Sequence, residues 1–171
     1  MKQNYFELFQ LPVSFQIDLT DLAARHRAVI SRVHPDQFAN KSAVEQRMAL
    51  QWATFANEAF DTLKSPVSRA QYLLQLHAPE LTEHEAHVPL PPAFLMQQME
   101  WREALDEART LEAVEALADD VSAAERRMLL QLGTLIDERQ DWPAAAGQVR
   151  ALMFVARFAA DVDRRLDALG Q

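Results

Sequence analysis

Prolines concentrate in one stretch of the chain and limit how its secondary structure can be arranged. Four of the eight prolines lie between residues 76 and 92. Because proline lacks a backbone donor and disrupts helix interiors, no long helix can pass through this stretch undisturbed. The sequence therefore predicts two domains, residues 1–76 and 93–171, joined by a semi-rigid linker at residues 77–92.

The predicted fold class is all-α in both domains. Only three glycines occur in 171 residues, which disfavours a turn-rich all-β fold. A helix is predicted to begin after Asp18, a good N-cap, and to end at His34, which precedes a proline. A second helix is predicted from about Ser42 to Leu63. Its predicted buried stripe is Met48, Trp52, Phe55, Ala59, Phe60 and Leu63.

After the linker, apolar spacing predicts a bundle of three helices. These helices are expected to begin near Pro92, at Leu111 and at Trp142, with Asp141 as the N-cap of the last one. A Ser-x-x-Glu sequence at Ser122 could be a capping box that splits the middle helix.

Composition excludes several functional classes. The chain has no cysteine, so it can form no disulfide and offers no thiolate to a metal or cluster. Residues 1–77 carry 8 Lys and Arg against 7 Asp and Glu, and residues 78–171 carry 9 against 18, so nets of +1 and −9 give the total of −8. The acidic second half disfavours nucleic acid and anionic membranes as partners. We expect a cytoplasmic protein, because no signal or spanning segment is recognisable.

The loop between the first two long helices contains His34, Pro35 and Asp36. Proline fixes its own φ, so the two flanking polar side chains are expected at a rigid tip where they can bind a partner. On the preceding helix, Arg25 and Arg32 are seven residues apart and are expected to share one exposed face. Arg27 lies on a different side of this helix and is a weaker candidate for the basic face.

A helical hairpin with His-Pro-Asp in its loop resembles the J-domain. The match extends to a short aromatic-rich helix before the hairpin, which carries Tyr5, Phe6, Leu8 and Phe9. It also includes Asn57-Glu58-Ala59-Phe60 in the helix predicted from Ser42 to Leu63. The resemblance implies that the loop and its basic flank contact a DnaK-type ATPase and stimulate ATP hydrolysis. Val33 and Gln37 stand where many members have Tyr and Lys.

The helix after the linker has two different faces. Phe94, Trp101, Leu105 and Ala108 fall on one side of a helical wheel and form a core face. A second stripe begins with apolar side chains and continues into carboxylates. Its members are Leu95, Met96, Met99, Glu100, Glu103 and Glu107. The apolar members either pack against another part of the chain or form a protein-binding patch.

The same segment resembles the start of the C-terminal domain of HscB-type co-chaperones, and the resemblance covers essentially the whole chain. It implies that this helix binds the iron–sulfur cluster scaffold protein IscU through the second stripe, with Phe154 on the last helix. It also implies HscA as the ATPase partner, iron–sulfur cluster maturation and transfer as the process, and no catalytic residue or cofactor in the chain itself.

Two other functions are compatible with the sequence. One is a general J-domain chaperone that binds unfolded chains. The other is a small metal-dependent hydrolase that uses His34, Asp36 and the histidines of the linker. A His-x-x-His sequence at His84 and His87 has helical spacing but no third ligand fixed nearby, so no metal site is predicted.

Overall fold

The computed structural model describes residues 3–83 and 87–171, and helices are the regular secondary structure throughout these ranges. This confirms the all-α prediction. Contacts between Cα atoms divide the chain into two compact units, Met1–Leu73 and Leu74–Gln171.

The first unit is a helical hairpin with short accessory helices. Asp18 caps the first arm, because its Oδ1 accepts the N–H groups of Thr20 and Asp21 at 2.9 and 3.1 Å. The second arm begins with a capping box in which Ser42 and Glu45 exchange hydrogen bonds. In chain order, the elements are α1 (Tyr5–Leu8), α2 (Leu19–Val33), a 3-10 turn (Pro35–Phe38), α3 (Ala43–Lys64) and α4 (Pro66–His77). The residues of α4 after Leu73 belong to the second unit.

A buried arginine joins three segments of this unit. The Nε of Arg69 on α4 donates to the carbonyl of Phe15 at 2.6 Å, and its Nη1 donates to the carbonyl of Leu63 at 2.7 Å. The guanidinium also lies over the Phe15 ring, 4.9 Å from its centroid. Both carbonyls therefore have a donor inside the core, which fixes the end of α3 against the α1–α2 connection.

The predicted buried stripe of α3 is partly wrong. Ala59 and Leu63 are buried, but Met48 and Trp52 are exposed. The other buried positions of the helix are Ala49, Ala53 and Ala56. Alanine lets helix backbones approach closely, and both α1 and α2 pack on α3. Phe55 and Phe60 of the predicted stripe are half-buried.

The second unit contains three long helices. In chain order after the end of α4, its elements are α5 (Pro79–Glu83), α6 (Pro92–Glu107), α7 (Leu111–Gly133), a π-helical turn (Thr134–Glu138) and α8 (Trp142–Leu169). Asp141 caps α8 as predicted, since its Oδ1 accepts the N–H of Ala144 at 3.1 Å. The helix α7 is continuous, so the split at Ser122 does not occur. The short helix α5 lies within the predicted linker.

The predicted core face of α6 is confirmed. Phe94, Trp101, Leu105 and Ala108 are all buried, in one cluster with residues of α7 and α8. The Trp101 ring stacks on Phe158 of α8 with centroids 5.6 Å apart. This face holds α6 against the bundle and leaves its opposite side at the surface.

Candidate functional site

The His-Pro-Asp loop is held in shape by its own backbone. His34 has φ −58° and ψ 135°, the extended conformation that a following proline favours, and Pro35 begins the 3-10 turn. The N–H of Asp36 donates to the His34 Nδ1 at 3.2 Å, and the N–H of Gln37 donates to the His34 carbonyl at 2.9 Å. The loop therefore needs no partner to adopt this conformation.

The polar groups of this loop remain available for binding. The Asp36 side chain is 90% exposed, and its Oδ2 lies 3.5 Å from the Nδ1 of the His34 ring. Because the His34 Nδ1 accepts a backbone hydrogen bond, the neutral ring carries its proton on Nε2. The loop thus presents one carboxylate and one imidazole donor.

Sequence reasoning did not predict that Arg27 lies beside the loop. A groove of about 350 Å³ is lined by the loop residues and by His26, Arg27, Ile30 and Ser31 of α2. The Arg27 side chain is exposed, and it has no hydrogen bond or ion pair in the described part of the chain. Arg27 precedes His34 by seven residues, two helical turns, and this spacing could have revealed that both share one face.

Arg25 and Arg32, which were predicted to share one exposed binding face, differ in their contacts. Arg32 is exposed without a partner in residues 3–83 and 87–171. Arg25 is half-buried, because its Nη1 donates to the carbonyls of Phe9 and Gln10 at 3.0 and 3.2 Å. These bonds support a turn in which Gln10 has a φ of 55°. Arg25 therefore has a structural role that its spacing did not indicate.

The Asn57-Glu58-Ala59-Phe60 motif of α3 contacts α2, the other arm of the hairpin. The His26 Nε2 lies 2.9 Å from the Oδ1 of Asn57, and the His26 ring stacks on Phe60 with centroids 4.3 Å apart. Two residues of the motif thus fix α3 against α2, close to the groove that Arg27 and His34 line.

The second stripe of α6 lies at the surface of its unit. Met96 and Met99 are 67% and 73% exposed, and Leu95 is 46% exposed. Such exposure disfavours packing of these side chains within their own unit. Three neighbouring large apolar side chains on one helix face form an apolar patch, which is a feature of protein-binding surfaces.

Carboxylates extend this apolar patch along α6. Glu100, Glu103 and Glu107 are exposed, and none of them has a hydrogen bond or ion pair within the described ranges. Arg102 does not neutralise them, because its Nη1 pairs with Asp161 of α8 at 3.2 Å. The row therefore keeps its negative charge for a partner.

Phe154 lies on α8, one turn before the Phe158 ring that packs on α6. It is half-buried against the core of the bundle. Arg150 and Arg157 lie 5.8 and 5.4 Å from its ring centroid. Its immediate surroundings are therefore basic, whereas the exposed row on α6 is acidic.

Comparison with known proteins identifies the family. A family model described as the HSCB C-terminal oligomerisation domain matches residues 90–163. The co-chaperone protein HscB homolog of Burkholderia multivorans is 44% identical over 99% of this chain and 97% of its own length. The chain belongs to the HscB family of co-chaperones.

Solved HscB structures share the complete fold. HscB from Vibrio cholerae has a TM-score of 0.79 at 38% identity and covers 98% of this chain and 99% of its own. Human co-chaperone HscB has a TM-score of 0.83 at 28% identity and covers 96% of this chain and 82% of its own. The predicted J-domain co-chaperone of the HscB type is thereby confirmed.

HscB proteins are co-chaperones, which are not classed as enzymes. Within residues 3–83 and 87–171, no three His, Asp or Glu side chains are grouped closely enough to hold a metal. His84, one of the two linker histidines considered above, lies outside the described residues. No described helix is both long and apolar enough to cross a membrane.

Proposed function

We propose that this HscB protein binds the scaffold protein IscU through α6, delivers it to the DnaK-type chaperone HscA and stimulates the HscA ATPase through the His-Pro-Asp loop. The cellular role is iron–sulfur cluster maturation and transfer in the cytoplasm. The observation that carries the proposal is that one unit has a preformed polar loop and the other unit has the exposed second stripe of α6.

The proposed ATPase contact combines charges of both signs. Asp36 and the His34 Nε2–H would meet polar groups of HscA, while Arg27 and Arg32 would face acidic side chains. Long-range attraction between such surfaces raises the association rate and makes it salt-dependent. Because the loop keeps its shape unaided, little conformational entropy is lost when it binds.

The proposed IscU contact is apolar at its centre and acidic along one edge. Met96 and Met99 have flexible side chains that adapt to a partner surface. Glu100, Glu103 and Glu107 select a basic surface beside it, and Phe154 adds an aromatic contact from α8. Glu side chains at the edge discriminate against acidic partners, whereas burial of the apolar centre supplies most of the affinity.

Simultaneous binding explains how the two contacts cooperate. Bringing IscU and HscA onto one chain raises the effective concentration of IscU at the chaperone. Hydrolysis of ATP by HscA would then close the chaperone on IscU. The free energy comes from that ATP, so the proposal assigns no catalytic residue and no cofactor to this chain.

The direct test measures ATP turnover by HscA of the same organism with this protein and with an Asp36→Asn variant. Wild type is expected to accelerate turnover, and Asp36→Asn is expected to abolish the effect because the loop loses its carboxylate. An Asp120→Asn variant on the exposed face of α7 is the matched control and should behave as wild type. Absence of stimulation by wild type would contradict the proposed ATPase role.

A further inference from the structure

We propose that the cavity between α6, α7 and the start of α8 is a second peptide-binding site, which accepts an apolar side chain that lies next to a carboxylate. The cavity has a volume of about 200 Å³. Its walls include Phe94 and Trp101 of α6 and Met128 of α7. This volume and lining suit one branched apolar or aromatic side chain.

A buried amide supplies the acceptor of the site. Gln148 of α8 lines the cavity and is only 7% exposed. Its Nε2 donates both protons, to the Met128 carbonyl and to the Gln131 Oε1, each at 3.1 Å. Its Oε1 accepts no hydrogen bond in the described part of the chain. Because Gln148 lines the cavity, a ligand N–H that enters it can donate to this oxygen.

The rim supplies the donors. Arg127 lines the cavity and has no hydrogen bond or ion pair within residues 3–83 and 87–171. The amide of Gln97 is likewise unbonded there, and both Nε2 protons of Gln131 are free. A guanidinium flanked by amide donors favours a carboxylate, which accepts several charge-assisted hydrogen bonds.

These groups together define the ligand. An apolar side chain would enter between Phe94, Trp101 and Met128, the backbone N–H of the same residue would donate to Gln148, and the carboxylate would pair with Arg127. Both a chain terminus and an Asp or Glu that follows an apolar residue offer this chemistry. The site uses the face of α6 that bears Gln97, so it is separate from Leu95, Met96 and Met99.

Titration of the ¹⁵N-labelled full chain with short peptides tests this site by nuclear magnetic resonance. One peptide is Gly-Ser-Gly-Leu with a free terminal carboxylate, a second is the same peptide as a C-terminal amide, and a third is Gly-Ser-Leu-Asp as an amide. Binding is expected to shift the indole N–H signal of Trp101 while that of Trp52, in the other unit, stays fixed. A response to the first peptide alone identifies a chain terminus, and a response to the third identifies an acidic side chain.

Variants connect the signal to the proposed groups. Arg127→Gln is expected to weaken binding about tenfold, the usual loss for a charge-assisted hydrogen bond, whereas the adjacent exposed Arg126→Gln should leave it unchanged. Ala124→Leu is expected to fill the cavity and abolish binding. Met96→Ala/Met99→Ala should retain binding, which separates this proposal from the IscU contact.

Three results would overturn the proposal. They are absence of any Trp101 shift with all three peptides, equal responses to the free carboxylate and both amides, and unchanged affinity in Arg127→Gln. Because Arg127 is exposed, its replacement tests the site even if Ala124→Leu does not fold.

Discussion

The loop at residues 34–36 and the outer face of α6 differ in how their residues are held in place. In the loop, a proline and two hydrogen bonds from backbone N–H groups to His34 fix one conformation, and the exposed groups are charged or polar. On α6, the helix fixes only the backbone, while Met96 and Met99 remain free to change rotamer. A rigid polar loop suits one defined contact, whereas a flexible apolar face suits a partner surface to which it must adapt.

The largest expected effect comes from the buried arginine that fixes the end of α3 against the α1–α2 connection. Replacing Arg69 with Met removes the two buried hydrogen bonds that its guanidinium donates to the Phe15 and Leu63 carbonyls, so we expect the first unit to lose about 3–5 kcal/mol of unfolding free energy. Chemical denaturation followed by circular dichroism measures this loss. IscU binding by the second unit should persist under conditions in which ATPase stimulation is lost. Simultaneous loss of both activities would contradict the separation of the two surfaces.

The next largest effect is on the apolar face. Met96→Ala/Met99→Ala removes two adaptable side chains, and we expect IscU binding to weaken by about 3 kcal/mol, on the order of 100-fold in Kd. Isothermal titration calorimetry measures the change. Leu130→Ala is the matched control, because Leu130 is a similarly exposed apolar residue, at 68%, on α7. An equal loss in both variants would show that the effect is not specific to α6.

A smaller effect is expected for the arginines of α2, because Arg27 is proposed to act in binding and Arg25 in stability. Arg27→Ala is expected to reduce the association rate with HscA by roughly 3- to 10-fold at low salt, with little change in stability, because its charge is at the groove rim. Arg25→Ala is expected instead to lower the unfolding free energy by about 1–2 kcal/mol, since two carbonyls lose their donor. Stopped-flow association and thermal unfolding on both variants distinguish the two roles. Interchanged results would mean that Arg25 is the binding residue.

The smallest effect is a pH dependence of the first unit. Burial raises the pKa of the Tyr72 phenol, which accepts the Tyr5 N–H at 2.9 Å. The unfolded chain therefore releases this proton at lower pH than the folded chain, and stability present below about pH 10 is lost as pH rises towards the folded pKa. Unfolding measured from pH 9 to pH 11 should show a steeper decline for wild type than for Tyr72→Phe. Parallel curves would exclude this contribution.

Local patterns predicted the helices and their caps because each depends on a few neighbouring residues. Asp18 and Asp141 were recognised as N-caps, and the two faces of α6 follow from spacing alone. Tertiary choices were less accessible. Two adjacent apolar stripes of α3 could each have formed its buried face. Only the packing of the neighbouring helices determines that the alanines are buried and that Met48 and Trp52 are exposed.

The same limit applies to the candidate sites. The His-Pro-Asp loop and the Leu-Met-Glu stripe are contiguous in sequence, so they could be predicted. The partners of Arg25 are 15 and 16 residues away, at Gln10 and Phe9, and helical spacing carries no information about them. The cavity beside Trp101 likewise requires side chains from three helices.

The most direct test of the two-surface account measures single-turnover ATP hydrolysis by HscA with Met96→Ala/Met99→Ala, in the presence and absence of IscU. The account predicts that this variant still stimulates hydrolysis to the wild-type level without IscU, because its loop is unchanged. It also predicts that IscU adds no further acceleration at concentrations that saturate the wild-type complex. A full IscU-dependent acceleration by this variant would contradict the assignment of IscU binding to α6.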